Sequence, residues 1–253
     1  MSTVKIRNIV LGEGQPKIAV PNVGTNEEEI LSFAKEIVAA KPDLMEWRID
    51  YYAAGISDIN KLISTSKKIR QIVDNLPILV TFRTKNEGGV LELSDDNYLN
   101  LLQAIIENRL GDAIDIELFH EEEKIKSLVQ LAHNYNLVVI MSNHDFEKVP
   151  PKDVIVFRLK KMSELQADVV KMACMPHTAK DVLILLEATN EVHQAIENPL
   201  ITMAMGDLGK VTRVSGQVFG SSLSFGAVGK TSAPGQLSIT DLRNAENYLA
   251  LHN

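Results

Sequence analysis

The sequence predicts a (β/α)8 barrel, and three features of it do so. Apolar runs of strand length recur along the chain: Ile18–Pro21, Leu44–Arg48, Ile78–Arg83, Ala113–Leu118, Leu137–Ser142, Val169–Ala173, Leu200–Ala204 and Ser221–Phe225. Amphipathic helical stretches lie between them, which is the pattern of repeated βα units. Polar residues collect where the runs end. Eight such units in a chain of 253 residues suit a closed parallel barrel. A doubly wound open sheet is the alternative, and periodicity alone does not separate the two.

The elements follow in order. The opening segment, VKIRNIVLGEGQPKIAV, reads as a β-hairpin turning at Gly12–Gly14 and placed to close the base of a barrel. After the first barrel run, Ile30, Phe33, Ala34, Ile37 and Val38 have the spacing of a buried helix face. Thr25 and Glu28 are placed to form the capping box that starts that helix. Ile125, Leu128, Val129 and Ala132 repeat the helical spacing, with Glu121 to Glu123 near the positive end of that helix dipole. Asp241 to Leu251 reads as a last helix. No Pro/Gly/Ser-rich linker, repeat or low-complexity segment divides the chain, so residues 1–253 read as one domain.

Composition narrows the function classes. Hydrophobic residues make up 45% and charged residues 23%, enough for a large core under an ordinary soluble surface. A formal net charge of −7 argues against a generic nucleic-acid binder, which needs surplus Lys and Arg, but leaves room for a local cationic pocket. The one cysteine, Cys174, excludes an internal disulfide, fits a reducing compartment and reads as a packing residue. The N-terminus lacks the unbroken apolar stretch of a secretion signal. No run approaches the roughly 18 apolar residues of a membrane span. These features read as a soluble, cytoplasmic protein with neither a membrane nor a nucleic-acid partner. HExxH, CxxC and EF-hand spacings are missing, so a metal site has no motif support. GAVGKTS resembles the end of a phosphate-binding loop, but the first glycine of that motif falls on Ser224, and only residues 232–253 follow Thr231.

The run ends carry the chemistry. EWRID, TFRTKNEGG, MSNHDF, VVKMA and MAMGDLGKVTR stand at C-terminal strand ends, which form the active-site rim of parallel α/β folds. Glu46, Arg48, Arg83, Glu87, His144, Lys171 and Arg213 therefore share a destination. Lys171 sits inside an apolar run, where an amine is costly to bury. It is either a snorkelling or ion-paired lysine, or an amine nucleophile. The second reading needs the lysine pKa brought from about 10.4 to 7–8, roughly 3–5 kcal/mol of desolvation or nearby positive charge. Arg48, Arg83 and Arg213 are the available cations, partly opposed by Glu46 and Glu87.

His144 is either a structural hydrogen-bonding residue or, near an electrophilic imine, a proton shuttle. Glu87, beside Gly88–Gly89, is either a solvated loop charge or the acceptor that fixes the tautomer of His144. Glu46 and Arg48 face one side of their strand and Trp47 the other. They form an internal ion pair or hold a hydroxylated ligand. Arg213, in a Gly-rich connection, makes a surface salt bridge or binds a carboxylate with its planar fork. Met203 and Met205 read as core, and His120, His133, His177, His193 and His252 as ordinary polar residues.

EWRID, FRTKNEGG, SNHDF, VVKMA, MGDLGKVTR, SFG and APGQ, in this order and spacing over nearly the whole chain, resemble the type I 3-dehydroquinate dehydratase family. The resemblance implies a (β/α)8 barrel with an N-terminal hairpin at its base, usually a dimer, that dehydrates 3-dehydroquinate in the shikimate pathway without a cofactor. By the same match, Lys171 resembles the Schiff-base lysine, His144 the general acid/base and Glu87 the carboxylate orienting it. Glu46, Arg48, Arg83, Arg213, Ser232 and Gln236 match residues that hold the substrate. Thr212, where many relatives have serine, and Pro21, where some have serine, depart from the pattern. A class I aldolase-like Schiff-base barrel shares Lys171 but not EWRID, FRT or APGQ. A non-catalytic anion-binding barrel is the rival from another class.

Overall fold

The computed structural model describes residues 2–229 and 232–251; Lys230, Thr231 and His252 lie outside the described residues. β1 (Val4–Ile6) and β2 (Ile9–Leu11) form an antiparallel hairpin. Then come β3 (Lys17–Asn22), β4 (Leu44–Arg48), β5 (Ile78–Thr81), β6 (Ala113–Glu117), β7 (Val138–Asp145), β8 (Val169–Cys174), β9 (Leu200–Ala204) and β10 (Leu223–Ala227). Each pairs in parallel with the next from β3 to β9, and β10 pairs with β3. A bridge from Leu200 to Ser221, and a 2.7 Å bond from the Ser222 N–H to the Leu200 carbonyl, join the two remaining edges. The sheet closes on itself, which excludes the open doubly wound alternative. The short β11 (Leu237–Ser238) extends beside β10.

The helices wrap the outside: α1 (Glu27–Ala40), α2 (Ala53–Ile56), α3 (Ile59–Val73), α4 (Asp95–Glu107), α5 (Glu122–Asn134), α6 (Lys152–Glu164), α7 (Ala179–Ala195), α8 (Lys210–Val214), α9 (Gly216–Phe219) and α10 (Ile239–Tyr248). Three local expectations need correction. α1 is capped by Asn26, whose side chain accepts from the Glu29 N–H at 3.0 Å. Thr25 instead gives its N–H and hydroxyl to the Glu29 carboxylate, so the cap lies one residue later than Thr25–Glu28. Asn outranks Thr as a cap, and it takes the extended backbone that the position requires.

The hairpin turns at Arg7–Asn8, not at Gly12–Gly14, because the pairs Val4↔Leu11 and Ile6↔Ile9 leave only those two residues between the strands. That register puts Ile6, Ile9 and Leu11 on one buried face. Gly12, at φ +91°, serves the link to β3, where a Cβ would lie 2.9 Å from the Ser2 carbonyl oxygen. The last helix begins at Ile239, earlier than expected, because the Ser238 hydroxyl caps it by accepting from the Asp241 N–H.

Two apolar layers result. One lies between sheet and helices, with Trp47, Val80, Ile116, Met141 and Met172 pointing outward from the strands. The other fills the barrel, where Ile6, Ile9 and Leu11 of the hairpin pack against Leu44, Leu79, Ala113, Ile140, Val169, Ile201 and Leu223. Strand residues alternate between these layers. The inward residue is apolar near the hairpin and polar farther along: Leu44, then Glu46 and Arg48; Ala113, then Asp115 and Glu117; Val169, then Lys171. The base of the barrel is apolar and the opposite end is polar.

Leu11 is fully buried at the base. Leu11→Ala is expected to cost about 2–5 kcal/mol of unfolding free energy, the range for a buried Leu truncation. Urea titration measures this as a lower midpoint with an unchanged slope. A loss below about 0.5 kcal/mol, the scale of a surface change, would show that the hairpin is not part of the core.

Candidate active site

The polar end of the barrel holds one pocket lined by all nine residues singled out in the sequence: Glu46, Arg48, Arg83, Glu87, His144, Lys171, Arg213, Ser232 and Gln236. β4 brings Glu46 and Arg48, the segment after β5 brings Arg83 and Glu87, and β7 and β8 bring His144 and Lys171. Arg213 comes from α8, and Ser232 and Gln236 from the loop before β11. Met203 and Met205, expected as core, line the pocket as well. They face inward at the open end of β9, a placement that follows from the register and not from their hydrophobicity.

Lys171 is 3% exposed, so it does not snorkel to the surface. Its Nζ lies 3.5 Å from Asp115 Oδ2, 3.8 Å from Glu46 Oε1 and 4.6 Å from the centroid of the Phe225 ring. The positive surroundings expected for it are not what the barrel supplies. Arg48 is held by two 2.8 Å bonds to Asp50. Arg83 donates to Glu117 at 2.7 Å and to Ser142 at 3.0 Å, and its Nη2 stands 2.8 Å from Asp115 at an angle too poor for a hydrogen bond. Both arginines are neutralised by carboxylates, and the charges in direct contact with the amine are negative.

Glu46 accepts from the Thr81 hydroxyl at 3.0 Å, while Arg48 turns to Asp50, so of the two readings of Glu46 and Arg48 the mutual ion pair is not formed. Asp115, Glu117, Asp50 and Ser142 were not singled out in the sequence, yet they balance the site. AIDIE carried a signal for two of them. Strand alternation places Asp115 and Glu117 on the face that Ala113 shares, and carboxylates on an inward face call for buried partners.

His144 and Glu87 form a pair. Glu87 Oε2 lies 2.9 Å from His144 Nδ1 and accepts from the His144 N–H at 2.9 Å, while Oε1 accepts from Asn143 Nδ2 at 2.8 Å. Nε2 has no partner among the described residues. Burial, followed by the charges of Arg83, Lys171 and Arg48, pushes His144 well below the usual histidine range. Burial, followed by the Glu117 charge, raises Glu87 to about 8, with Arg83 and the Asn143 bond acting against the rise. As a unit the pair changes by one proton near neutral pH. The deprotonated pair has Nδ1–H bonded to the carboxylate and the Nε2 lone pair available as a base.

Arg213 differs from the other two arginines. It is 2% exposed, burial lowers it to about 10, and no carboxylate faces it among the described residues. Nη2 donates to the Pro234 carbonyl at 3.1 Å and Nη1 lies 3.7 Å from Met203 Sδ, while among the described residues Nε has no partner and the guanidinium makes no salt bridge. A buried cation without a counter-ion beside a pocket is suited to an anionic ligand.

The loop over the pocket is itself bonded. Ser232 N–H donates to Gln236 Oε1 at 2.9 Å, and Gln236 Nε2 donates to the Ser232 hydroxyl at 3.0 Å. The Pro234 carbonyl also accepts from the Gly206 N–H at 3.1 Å. Gly235, at φ +77°, passes so close to Gly206 that a Cβ would sit 2.2 Å from its carbonyl oxygen. The Thr212 hydroxyl is used within the turn after β9, accepting from the Ala204 N–H and donating to the Gly209 carbonyl. Pro21 is on β3 and is not among the lining residues. Among the described residues, no group of three or more His, Cys, Asp or Glu is placed to hold a metal ion.

A model of the family described as type I 3-dehydroquinase matches residues 18–252. The chain is 48% identical over 240 residues to the 3-dehydroquinate dehydratase of Lactiplantibacillus plantarum, with 95% of each chain covered. It is 49% identical over 243 residues to that of Clostridium kluyveri, again with 95% of each covered. Its structure is similar to a type I 3-dehydroquinate dehydratase from Clostridium difficile, solved with covalent modified comenic acid, at a TM-score of 0.93 and 43% identity. That match covers 98% of this chain and 97% of the other.

The His144–Glu87 pair predicts an acid limb in the pH dependence of any reaction in which His144 is the base. Below about 8 the pair holds the extra proton, so the rate should rise with pH through that region. Glu87→Gln removes the group that takes up the proton and should move the limb to lower pH. A pH–rate profile of kcat/KM in the two proteins checks this, and coincident limbs would remove Glu87 from the titration.

Proposed function

The chain belongs to the type I 3-dehydroquinase family, and from that premise we propose that it dehydrates 3-dehydroquinate to 3-dehydroshikimate through a Schiff base on Lys171. The observation that carries this reading is a lysine amine buried in the barrel wall and opening into a pocket shared with a neutral histidine and an uncompensated arginine. The similarity to a relative solved with covalent modified comenic acid supports covalent chemistry.

The proposed steps use these positions. Asp115 and Glu46, 3.5 and 3.8 Å from Nζ, are placed to receive the ammonium proton before attack. The free amine adds to the C3 carbonyl carbon, and loss of water leaves an iminium. The iminium withdraws electrons and acidifies the C2 proton, which His144 Nε2 removes to form an enamine. The enamine expels the C1 hydroxyl, which His144 protonates, so water leaves. Hydrolysis of the imine returns the lysine and releases 3-dehydroshikimate. Arg213 takes the substrate carboxylate, and Glu46, Arg48, Arg83, Ser232 and Gln236 hold the hydroxyls and close the pocket.

The protein's setting belongs to the same proposal. Residues 1–253 act as one catalytic domain of the shikimate pathway, leading to aromatic amino acids, without a cofactor, in the cytoplasm and as a homodimer. No helix among the described residues is long and apolar enough to cross a membrane. The thiol of Cys174 is buried, and burial raises it to about 12. Phe157 and Leu183, 66% and 65% exposed, are apolar surface for a second copy to cover.

Incubation with 3-dehydroquinate should produce the ultraviolet absorbance of a conjugated enone, and folded protein giving no change would sink the reading. Borohydride reduction during turnover should add a ligand-sized mass to the peptide carrying Lys171. Lys171→Ala should lose both the adduct and nearly all activity. His144→Ala should be slowed at least about 10²–10⁴-fold and still form the adduct. An adduct on another lysine would overturn the assignment.

Arg213→Ala should weaken substrate binding by about 1.5–3 kcal/mol, the range for a hydrogen bond to a charged group. Arg213→Lys should recover only part, since a point charge does not grip a carboxylate with two bonds. Ligand affinity unchanged in both variants would remove Arg213 from the anion site.

A further inference from the structure

Glu87, His144 and Phe146 form a wall between two cavities. One is the active-site pocket; the other is a groove opening outward, which Asn143 and Arg158 also line. Arg158 stands on α6, outside the barrel, with its guanidinium 5.0 Å from the centroid of the Phe119 ring. Although Asp145 and Glu147 line the same groove, Arg158 enters no ion pair among the described residues. It gives Nη1–H to a neutral partner, Asn143 Oδ1, at 2.9 Å.

That choice of partner has a directional effect. A guanidinium only donates, so it can bond only the oxygen end of the Asn143 amide. The amide nitrogen is thereby turned to Glu87, and Nδ2 donates to Oε1 at 2.8 Å. If the amide rotated by half a turn, its oxygen would face an oxygen of Glu87, two acceptors with no proton between them while Glu87 is ionised, so the protonated carboxyl would be favoured. The other groups around Glu87 are Arg83 at 3.5 Å, His144 at 2.9 Å, and the carboxylates Glu117 and Asp115 on β6. Arg83 favours the charged form of Glu87, while Glu117 and Asp115 oppose it. With these charges opposed, the orientation of one amide dipole carries weight.

We propose that Arg158 is a positioning residue for the dehydration: it locks the Asn143 amide with its nitrogen toward Glu87, and so keeps Glu87 the acceptor of the His144 Nδ1 proton. His144 then presents a lone pair, not a proton, at Nε2. The inference rests on the proposed reaction, in which His144 is the base.

The test uses the full-length protein with 3-dehydroquinate and compares wild type, R158K, R158E, N143A and R158E/N143A. R158E replaces the donor by an acceptor and reverses the amide. Its acid limb in kcat/KM should move up by about one pH unit, a loss of about tenfold below the limb, with the borohydride adduct on Lys171 retained. R158K, also donor-only, should keep the limb near that of wild type. In the N143A background R158E should add no further shift, because the amide that transmits it is gone. A folded R158E with the wild-type limb would overturn the proposal. So would an equal shift with and without Asn143, which would mean charge acting through space. Should R158E not fold, R158M, with neither donor nor charge, carries the same comparison with a smaller upward shift. Wild-type protein giving no product and no adduct would instead sink the proposed reaction.

Discussion

Ionised side chains withdrawn from water into the barrel need opposite charge beside them, and the polar half of the structure is arranged around that requirement. Arg83 is the hub. It reaches Asp115, Glu117 and Glu87, and Asp115 in turn reaches Ser142 and Lys171. Arg48 has its own carboxylate in Asp50. Such buried pairs are weak evidence for stability, because desolvation consumes much of the attraction. What they supply is position. Each charged group is held from several sides, so Lys171 and His144 sit at defined places in a wall that cannot relax without leaving a charge unpaired.

Against that balanced background, two imbalances identify the working groups. Arg213 is buried with no carboxylate opposite among the described residues, which leaves the pocket suited to an anion. Glu87 is pushed up to about 8 and His144 pushed down, so the extra proton of the pair is taken up by the carboxylate and the imidazole stays neutral. The loop from Ser232 to Gln236 ties the first imbalance to the covering of the pocket. Its Pro234 carbonyl is shared by Arg213 and the Gly206 N–H, and Gly235 allows the close approach. The residue that awaits the anion thus also holds the cover in place.

The fold serves this division of labour. Strand alternation sends every second residue inward, and the inward residues change from apolar to polar along β4, β6, β7 and β8, while those of β9 and β10 stay apolar. The hairpin seals the apolar end with Ile6, Ile9 and Leu11, which keeps water from entering the barrel there. Polar chemistry is left to the other end, where loops of any length can be attached without disturbing the core.

The sequence by itself determined the strand-helix alternation, the likeness to one enzyme family, and nine of the residues that line the pocket, Ser232 and Gln236 through that likeness alone. The rest are local properties: run length, helical spacing, and residue types at strand ends. Local chemistry also misled in places. Thr25–Glu28 and Asn26–Glu29 are rival caps, and only the finished backbone chooses Asn26. Gly12–Gly14 looks like a hairpin turn, but the register that buries Ile6 and Ile9 turns the chain at Arg7–Asn8. Met203 and Met205 are buried in the core as expected, and nothing local shows that they line the pocket as well. The tertiary structure alone decided who neighbours whom. Lys171 faces Asp115 and Glu46 instead of three arginines because sheet closure and register bring β4, β6 and β8 to one level inside the barrel. Arg158 reaches Asn143 from a separate helix for the same kind of reason. Arg48–Asp50 and Arg83–Glu87 are close in sequence, but Arg83–Asp115, Arg83–Glu117 and Lys171–Asp115 join residues distant along the chain, and no window of sequence contains those pairs.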